Sequence, residues 1–415
     1  MPSVQCPGWR HQPAGGDDGA VPRFEPFPGI RYGDHLDPAA VTSPPYDVID
    51  DAERAALAAS HPANAVHVDC PVGDLGSGRS GDETAADVSG ADPYAEAART
   101  FDAWRADGTL VTDDSPSFTI YRMSFTDEHG RARSTTGVLG ALTLERPGEG
   151  DILPHERTTP KAKSDRLDLL RATRANLSAI WGLSLAGGLS KVLEPTGEPL
   201  VDFADPDGVR HQAWRVDDPD ALAAIADAVA TAPVVIADGH HRFETCLAYR
   251  DEAPDGTAGA GATLFFVVEL VDEQLTVQPI HRLLSGLPDG FDVAAALSST
   301  YAVEPVGELA PGELGVVTAT ATHRLRPLVD DGTLDTVRLD EALGTLPAHE
   351  VAFQHGVANV LDAVGTGRAQ AGVLLRPVTV AQIAAVADEG ERMPPKTTFF
   401  WPKLRTGIVF RSLAG

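Results

Sequence analysis

Residues 234–252, VVIADGHHRFETCLAYRDE, constrain this chain more than any other stretch. Val234, Val235 and Ile236 form a β-branched apolar run that reads as a strand, and Asp238-Gly239 breaks it. Phe243, Leu247 and Tyr249 then recur at helical spacing, so a strand passes through a tight turn straight into a helix. With hairpins and further helices read elsewhere, the expectation is an α/β (α+β) protein.

The same turn concentrates ionisable groups. A helix N-terminus presents backbone N–H groups and the positive end of its dipole, Gly239 permits close approach, and Arg242 offers a two-pronged fork to phosphate oxygens. Asp238 has three open readings: helix cap, ligand of a divalent metal, or polariser of a substrate hydroxyl. The plainer account is a capped helix with His240 and His241 in solvent. Zinc on both histidines is disfavoured, because neighbours on a helix point about 100° apart and no other Cys or His cluster completes the ligand set.

A second constellation is LPHERTTPKAKSDRLDLLRATRAN. His155, Glu156 and Arg157 sit in a loop, Lys161 and Lys163 follow, and Ser164 is the expected N-cap of a helix running through SDRLDLLRATRANLSAIWGL. Leu167, Leu170, Arg174 and Leu177 share a stripe on that helix, so Arg174 must snorkel, pair with a carboxylate or meet a ligand. Glu156 reads either as a general base or as a structural ion-pair partner. In SPPYDVID, Pro44 and Pro45 fix Tyr46 and Asp47 at one angle, as a substrate wall or as a rigid turn. His281 and Arg282 close a strand and read as structural. Gly256, Gly259 and Gly261 precede a strand instead of opening a helix, so they are no dinucleotide fingerprint.

Composition narrows the partners. A net charge of -27, with 33 basic residues of which five are lysine, suits a hydrated surface in a high-salt cytoplasm and opposes nonspecific binding to nucleic acid or anionic membrane. Lysine is kept in two short segments, at Lys161 and Lys163 and at Lys396 and Lys403, with Lys191 alone elsewhere; phosphate binding is the sharper explanation. Cys6, Cys70 and Cys246 make an odd, scattered set that supports neither disulfides nor zinc. No run of about 18 apolar residues appears, and the first residues carry no signal-peptide pattern, so a cytoplasmic location is expected.

The motifs PPYDVI, LPHERT, DRLDLLRATRAN, IADGHHRFETCLAYRDE, IHRLL and PPKTTFFWPKL together resemble the family known as domain of unknown function 1015, over nearly the whole chain from about Arg23. The acidic leader and a polar insertion near residues 72–92, expected as a solvated loop, depart from it. The Asp238, Gly239, His240 and Arg242 turn is similar to the phosphate-binding box of the ParB/sulfiredoxin superfamily, in the form carried by free serine kinases. That resemblance implies a mixed-sheet ParB/sulfiredoxin-like core. The expected organisation is a disordered leader (1–22), an N-terminal α/β region (23–145), a phosphate-binding core (146–287), a C-terminal α+β region (288–390) and strands returning to the core (391–415). Sulfiredoxin chemistry is not implied, since histidines stand where its cysteine would.

The activity so implied is transfer of a phosphoryl group from ADP, ATP or pyrophosphate to a small hydroxylated metabolite, free L-serine first, in either direction. Gly239, His240, His241 and Arg242 would hold the donor phosphates. Lys161, Lys163 and Arg174 would neutralise charge, and Asp238 or Glu156 would take the acceptor proton. Tyr46, Asp47 and His155 would face substrate, and Mg2+ on Asp238 would bridge the phosphates. The alternatives are a nucleotide or phosphometabolite sensor and a hydrolase of phosphoserine or nucleotide.

Overall fold

In the computed structural model, residues 22–71, 92–127, 130–154, 163–253 and 257–414 are described, with backbone alone at 163, 164 and 388. All but the last residue of the expected leader, and most of the polar insertion, lie outside these residues.

Local chemistry starts the helices. Asp37, Asp92 and Asp218 each cap a helix whose first residue is proline, at Pro38–Val41, Pro93–Asp107 and Pro219–Ala230. The carboxylate accepts from a first-turn N–H while proline fills a position that needs no hydrogen. Asp50 closes a reciprocal capping box with Glu53 on Asp51–Ser60. Gly108, at φ 84°, ends the Pro93–Asp107 helix in the left-handed region.

The class expected from sequence holds: the fold is α/β with mixed sheets. Among the described residues nine strands form the largest sheet, running in space Ile152–Pro154, Val234–Asp238, Ile180–Ser184, Ala262–Glu269, Ala132–Thr143, Phe118–Thr126, Arg210–Val216 and Val201–Ala204, with Phe24–Glu25 on Ala132–Thr143. Val234–Asp238 lies parallel to Ile152–Pro154 and antiparallel to Ile180–Ser184. Strands from both sides of residue 145 thus share one sheet. Both of its faces are covered. Along Ala262–Glu269, Leu264, Phe266 and Val268 enter one apolar cluster and Phe265 and Val267 the opposite one. Each such buried side chain contributes about 1.5–3 kcal/mol.

A second sheet of seven strands is organised on Val277–Ser285, which pairs with Glu350–His355, Ala371–Leu374 and Thr398–Phe400. In a four-stranded sheet, Phe410–Ser412 pairs with Gly29–Tyr32 and Ala175–Asn176. Phe400, 1% exposed, packs against Trp181 of the large sheet. No helix among the described residues is long and apolar enough to cross a membrane.

The sequence reading errs at one place that matters for the site. Residues 164–183 are not one helix: Lys163–Thr173 is helical, Ala175–Asn176 and Ile180–Ser184 are strands, and Arg174 sits between them at φ 47°. IWGL is apolar without interruption, and Ile180–Ser184 is buried at every position, a pattern that a doubly covered strand shares with a buried helix segment.

Buried histidine makes stability depend on pH. His281, 3% exposed, accepts from the Leu375 N–H at 3.1 Å through Nδ1, and burial together with His355 and Arg282 pushes its pKa down to about 4. The unfolded chain protonates first, near the ordinary value of about 6.5. The stabilisation is therefore complete above about pH 6.5 and lost as pH falls towards 4, on the order of 3 kcal/mol. Urea unfolding across that window should show stability rising with pH, and a shallower rise in His281→Asn; equal slopes would contradict the assignment.

Candidate functional site

The large sheet carries the Val234–Asp238 strand through its interior and releases the chain at Asp238. Val234, Val235 and Ile236 are fully buried, and the register shifts before Asp238, which pairs with Trp181. Gly239 follows at φ 90° and precedes the His240–Glu252 helix, whose Phe243, Cys246 and Tyr249 enter the core. The strand is held by burial and the helix by its apolar face, so the turn between them is fixed in space.

Arg242, 7% exposed, is the centre of an ion network. Its Nη2 donates to Asp238 Oδ2 at 2.8 Å and lies 3.6 Å from Asp47 Oδ2, while Nη1 donates to the Ala179 carbonyl. Lys403 Nζ donates to the other Asp238 oxygen at 3.2 Å and stands 4.3 Å from the Phe399 ring centre. Burial pushes the Asp238 carboxyl up, but Lys403 and Arg242 outweigh it and hold it well below the usual carboxylate range. An anion so held is a poor proton acceptor. It is an anchor for two cations.

Tyr46, 8% exposed, separates two guanidinium groups: Arg166 lies 4.0 Å from its ring centre and Arg242 5.9 Å. Arg166 donates to Asp165 Oδ2 and to the Asp69 carbonyl, each at 2.7 Å, and its Nη1 is 3.6 Å from Asp69 Oδ1. Asp69 accepts from Thr406 at 3.1 Å and from Ser178 at 3.3 Å. Burial raises its pKa, and Arg166 and Arg242 pull it back only in part.

The structure thus brings Tyr46, Asp47, Asp238, Gly239 and Arg242 together, with His240 and His241 half-buried beside them. His240 also helps to lower the Asp238 pKa. The Arg242 fork is engaged inside the protein. Arg174 is corrected: it is exposed, lies past the end of its helix, and interrupts no apolar stripe. His155, Glu156 and Lys161 lie outside the described residues, and Lys163 is placed by its backbone alone at the start of Lys163–Thr173. Asp69, Arg166 and Lys403 were not expected as site residues. Lys403 had left a trace as one of the scarce lysines, and Arg166 stands inside a quoted motif; Asp69 left none.

Magnesium does not find a prepared cage here. No three His, Cys, Asp or Glu side chains gather for a metal among the described residues, and Asp238 spends one oxygen on each of two cations.

Gly239 allows a direct prediction. A Cβ there would stand 3.0 Å from Arg242 Cζ and Nε, at a φ that side chains rarely adopt. Gly239→Ala should cost about 1–2 kcal/mol and displace the guanidinium. Calorimetry should show the lower melting temperature, and unchanged stability would mean that the turn is laxer than described.

Comparison with known proteins places this chain. A family model described as "Protein of unknown function (DUF1015)" matches residues 24–357. No curated protein matches. Among solved structures, a free serine kinase mutant in complex with AMP is 13% identical, with 62% of this chain and 89% of that one covered, at a TM-score of 0.37. A conserved hypothetical protein from Pyrococcus furiosus is 14% identical, covering 62% and 92%, at 0.36. SbnI with C-terminal truncation, from Staphylococcus aureus, is 13% identical, covering 65% and 86%, at 0.40. Likeness at this level transfers no residue role, so the chemistry rests on the geometry above.

Proposed function

We propose, from the premise that the chain belongs to the DUF1015 family, that it transfers a phosphoryl group between a small phosphate donor and a small hydroxylated metabolite, with free L-serine the first acceptor to try. One observation carries the reading: Arg166, Arg242 and Lys403 converge with Asp47, Asp69 and Asp238 at a strand-to-helix turn that presents a helix N-terminus. Phosphoryl transfer asks mainly for positioning and for cations against developing charge, and such a cluster supplies both.

Asp47 is the group we assign as proton acceptor. Its side chain is 34% exposed, at the rim, and its ion contact with Arg242 is a loose 3.6 Å, unlike the doubly held Asp238. Glu156 remains the alternative. In the forward step Asp47 takes the hydroxyl proton, the acceptor oxygen bonds to the donor phosphorus, and the phosphorus–oxygen bond to the leaving phosphate or nucleotide breaks. Lys403 and the N–H groups of the turn face the charge that leaves. ADP, ATP and pyrophosphate are all admitted as donors.

A second reading has its own support. Both oxygens of Asp238 are already paired, as in a site that binds and signals without turnover. The experiment that tests the first is incubation in molar potassium chloride with magnesium, L-serine and each donor in turn, followed by mass spectrometry for O-phosphoserine. Product with one donor is expected. A donor that binds tightly and yields no product would favour the sensor.

A further inference from the structure

A cavity of about 50 Å3 lies behind the turn, where the Lys163–Thr173 helix meets the His240–Glu252 helix. Arg166, Arg242, Asp69 and Ser178 give it a polar wall, and Leu170 and Ile180 an apolar one. Both arginines are only 7% exposed. Arg166 Nη2 and Arg242 Nε are sealed from solvent and have no hydrogen-bond partner among the described residues. A buried guanidinium nitrogen left without a partner is costlier than an ordinary lost hydrogen bond, and both arginines that carry such nitrogens line this cavity. The space asks for an acceptor.

Size and charge select which. At roughly 10–15 Å3 per water-sized group, the cavity of about 50 Å3 admits three to five such groups. The three heavy atoms of a carboxylate fit throughout that range, and the five of a phosphate only at its upper end. Asp165 also pairs with Arg166, and Asp47 and Asp238 with Arg242, so the surroundings carry no surplus of positive charge and suit a singly charged anion better than a doubly charged phosphate. Arg242 also touches Asp47 and Asp238, so a group held here lies one residue away from the turn.

We propose that this cavity receives the carboxylate of the acceptor, so that the acceptor is a small hydroxy acid, amino or not, with its hydroxyl directed to Asp47. The proposal rests on the phosphotransferase reading for the word acceptor, and on the cavity alone for the carboxylate. Asp69, whose pKa burial raises, is relieved when a partner with an ammonium group enters, which places L-serine ahead of its hydroxy-acid analogue glycolate.

Isothermal titration of the full chain, without donor, tests it with L-serine, glycolate, ethanolamine and inorganic phosphate. L-serine and glycolate should bind, ethanolamine and phosphate at least tenfold more weakly. Arg166→Lys should weaken both carboxylates at least tenfold. Ala175→Val, which narrows the cavity and keeps every charge, should do the same if Arg166→Lys fails to fold. Ethanolamine or phosphate binding as well as L-serine, or neither carboxylate binding, overturns the proposal. Carboxylate binding without any transfer keeps the cavity assignment and removes the phosphotransferase reading. Transfer to glycerol but not to L-serine or glycolate does the reverse.

Discussion

Asp47→Asn is expected to lower phosphoryl transfer by about a thousandfold, within the range of roughly 10²–10⁴ that a positioned acid–base group supplies. The amide keeps the size of the side chain and cannot take the acceptor proton. Donor affinity should change little, because Asp47 stands on the acceptor side and its contact with Arg242 is 3.6 Å. The pattern to look for is a fall in kcat with KM for the donor nearly constant. A fall in melting temperature with kcat intact would make Asp47 a structural partner of Arg242 and move the proton to Glu156.

Arg242→Met should destabilise the protein by about 3–5 kcal/mol, the cost of breaking a buried ion pair on one side. The substitution takes the nearer cation from Asp238, leaves the Ala179 carbonyl without its donor, and removes the positive charge beside Asp47. Urea unfolding measures it. Asp238→Asn in the same background should return part of the loss, since the charge left unpaired is then gone, and the interaction energy of the double-mutant cycle should be favourable by at least about 1 kcal/mol. Strict additivity would mean that Arg242 and Asp238 do not act together.

How much of this was legible beforehand differs from residue to residue. The strand, Gly239 and the helix of residues 234–252 were readable because each signal is local: β-branched residues, a turn dipeptide and helical recurrence of Phe243 and Tyr249. The Asp50 cap and the Gly108 stop are local signals of the same kind. The break at Arg174 was not, because what makes Ala175–Asn176 and Ile180–Ser184 strands is their partners at Phe410–Ser412 and Val234–Asp238, far along the chain. Lys403 meets Asp238 across 165 residues, and Asp69 meets Thr406 across 337. No periodicity records such pairings. The retained lysines hinted at one, whereas Asp69 lies in a short helix, Val66–Asp69, with nothing in its neighbours to mark it.

The central claim is that the turn at Asp238 is where a phosphoryl group changes hands. A phosphorus NMR time course tests it most directly, with the intact protein and Asp238→Asn run side by side in molar potassium chloride, magnesium and L-serine, with ADP, ATP or pyrophosphate. The account predicts that one donor is consumed as an O-phosphoserine resonance grows, and that the variant, folded by calorimetry but with Lys403 and Arg242 no longer held in place, is slower by about a hundredfold. Spectra unchanged with all three donors, or equal rates in both proteins, would contradict it.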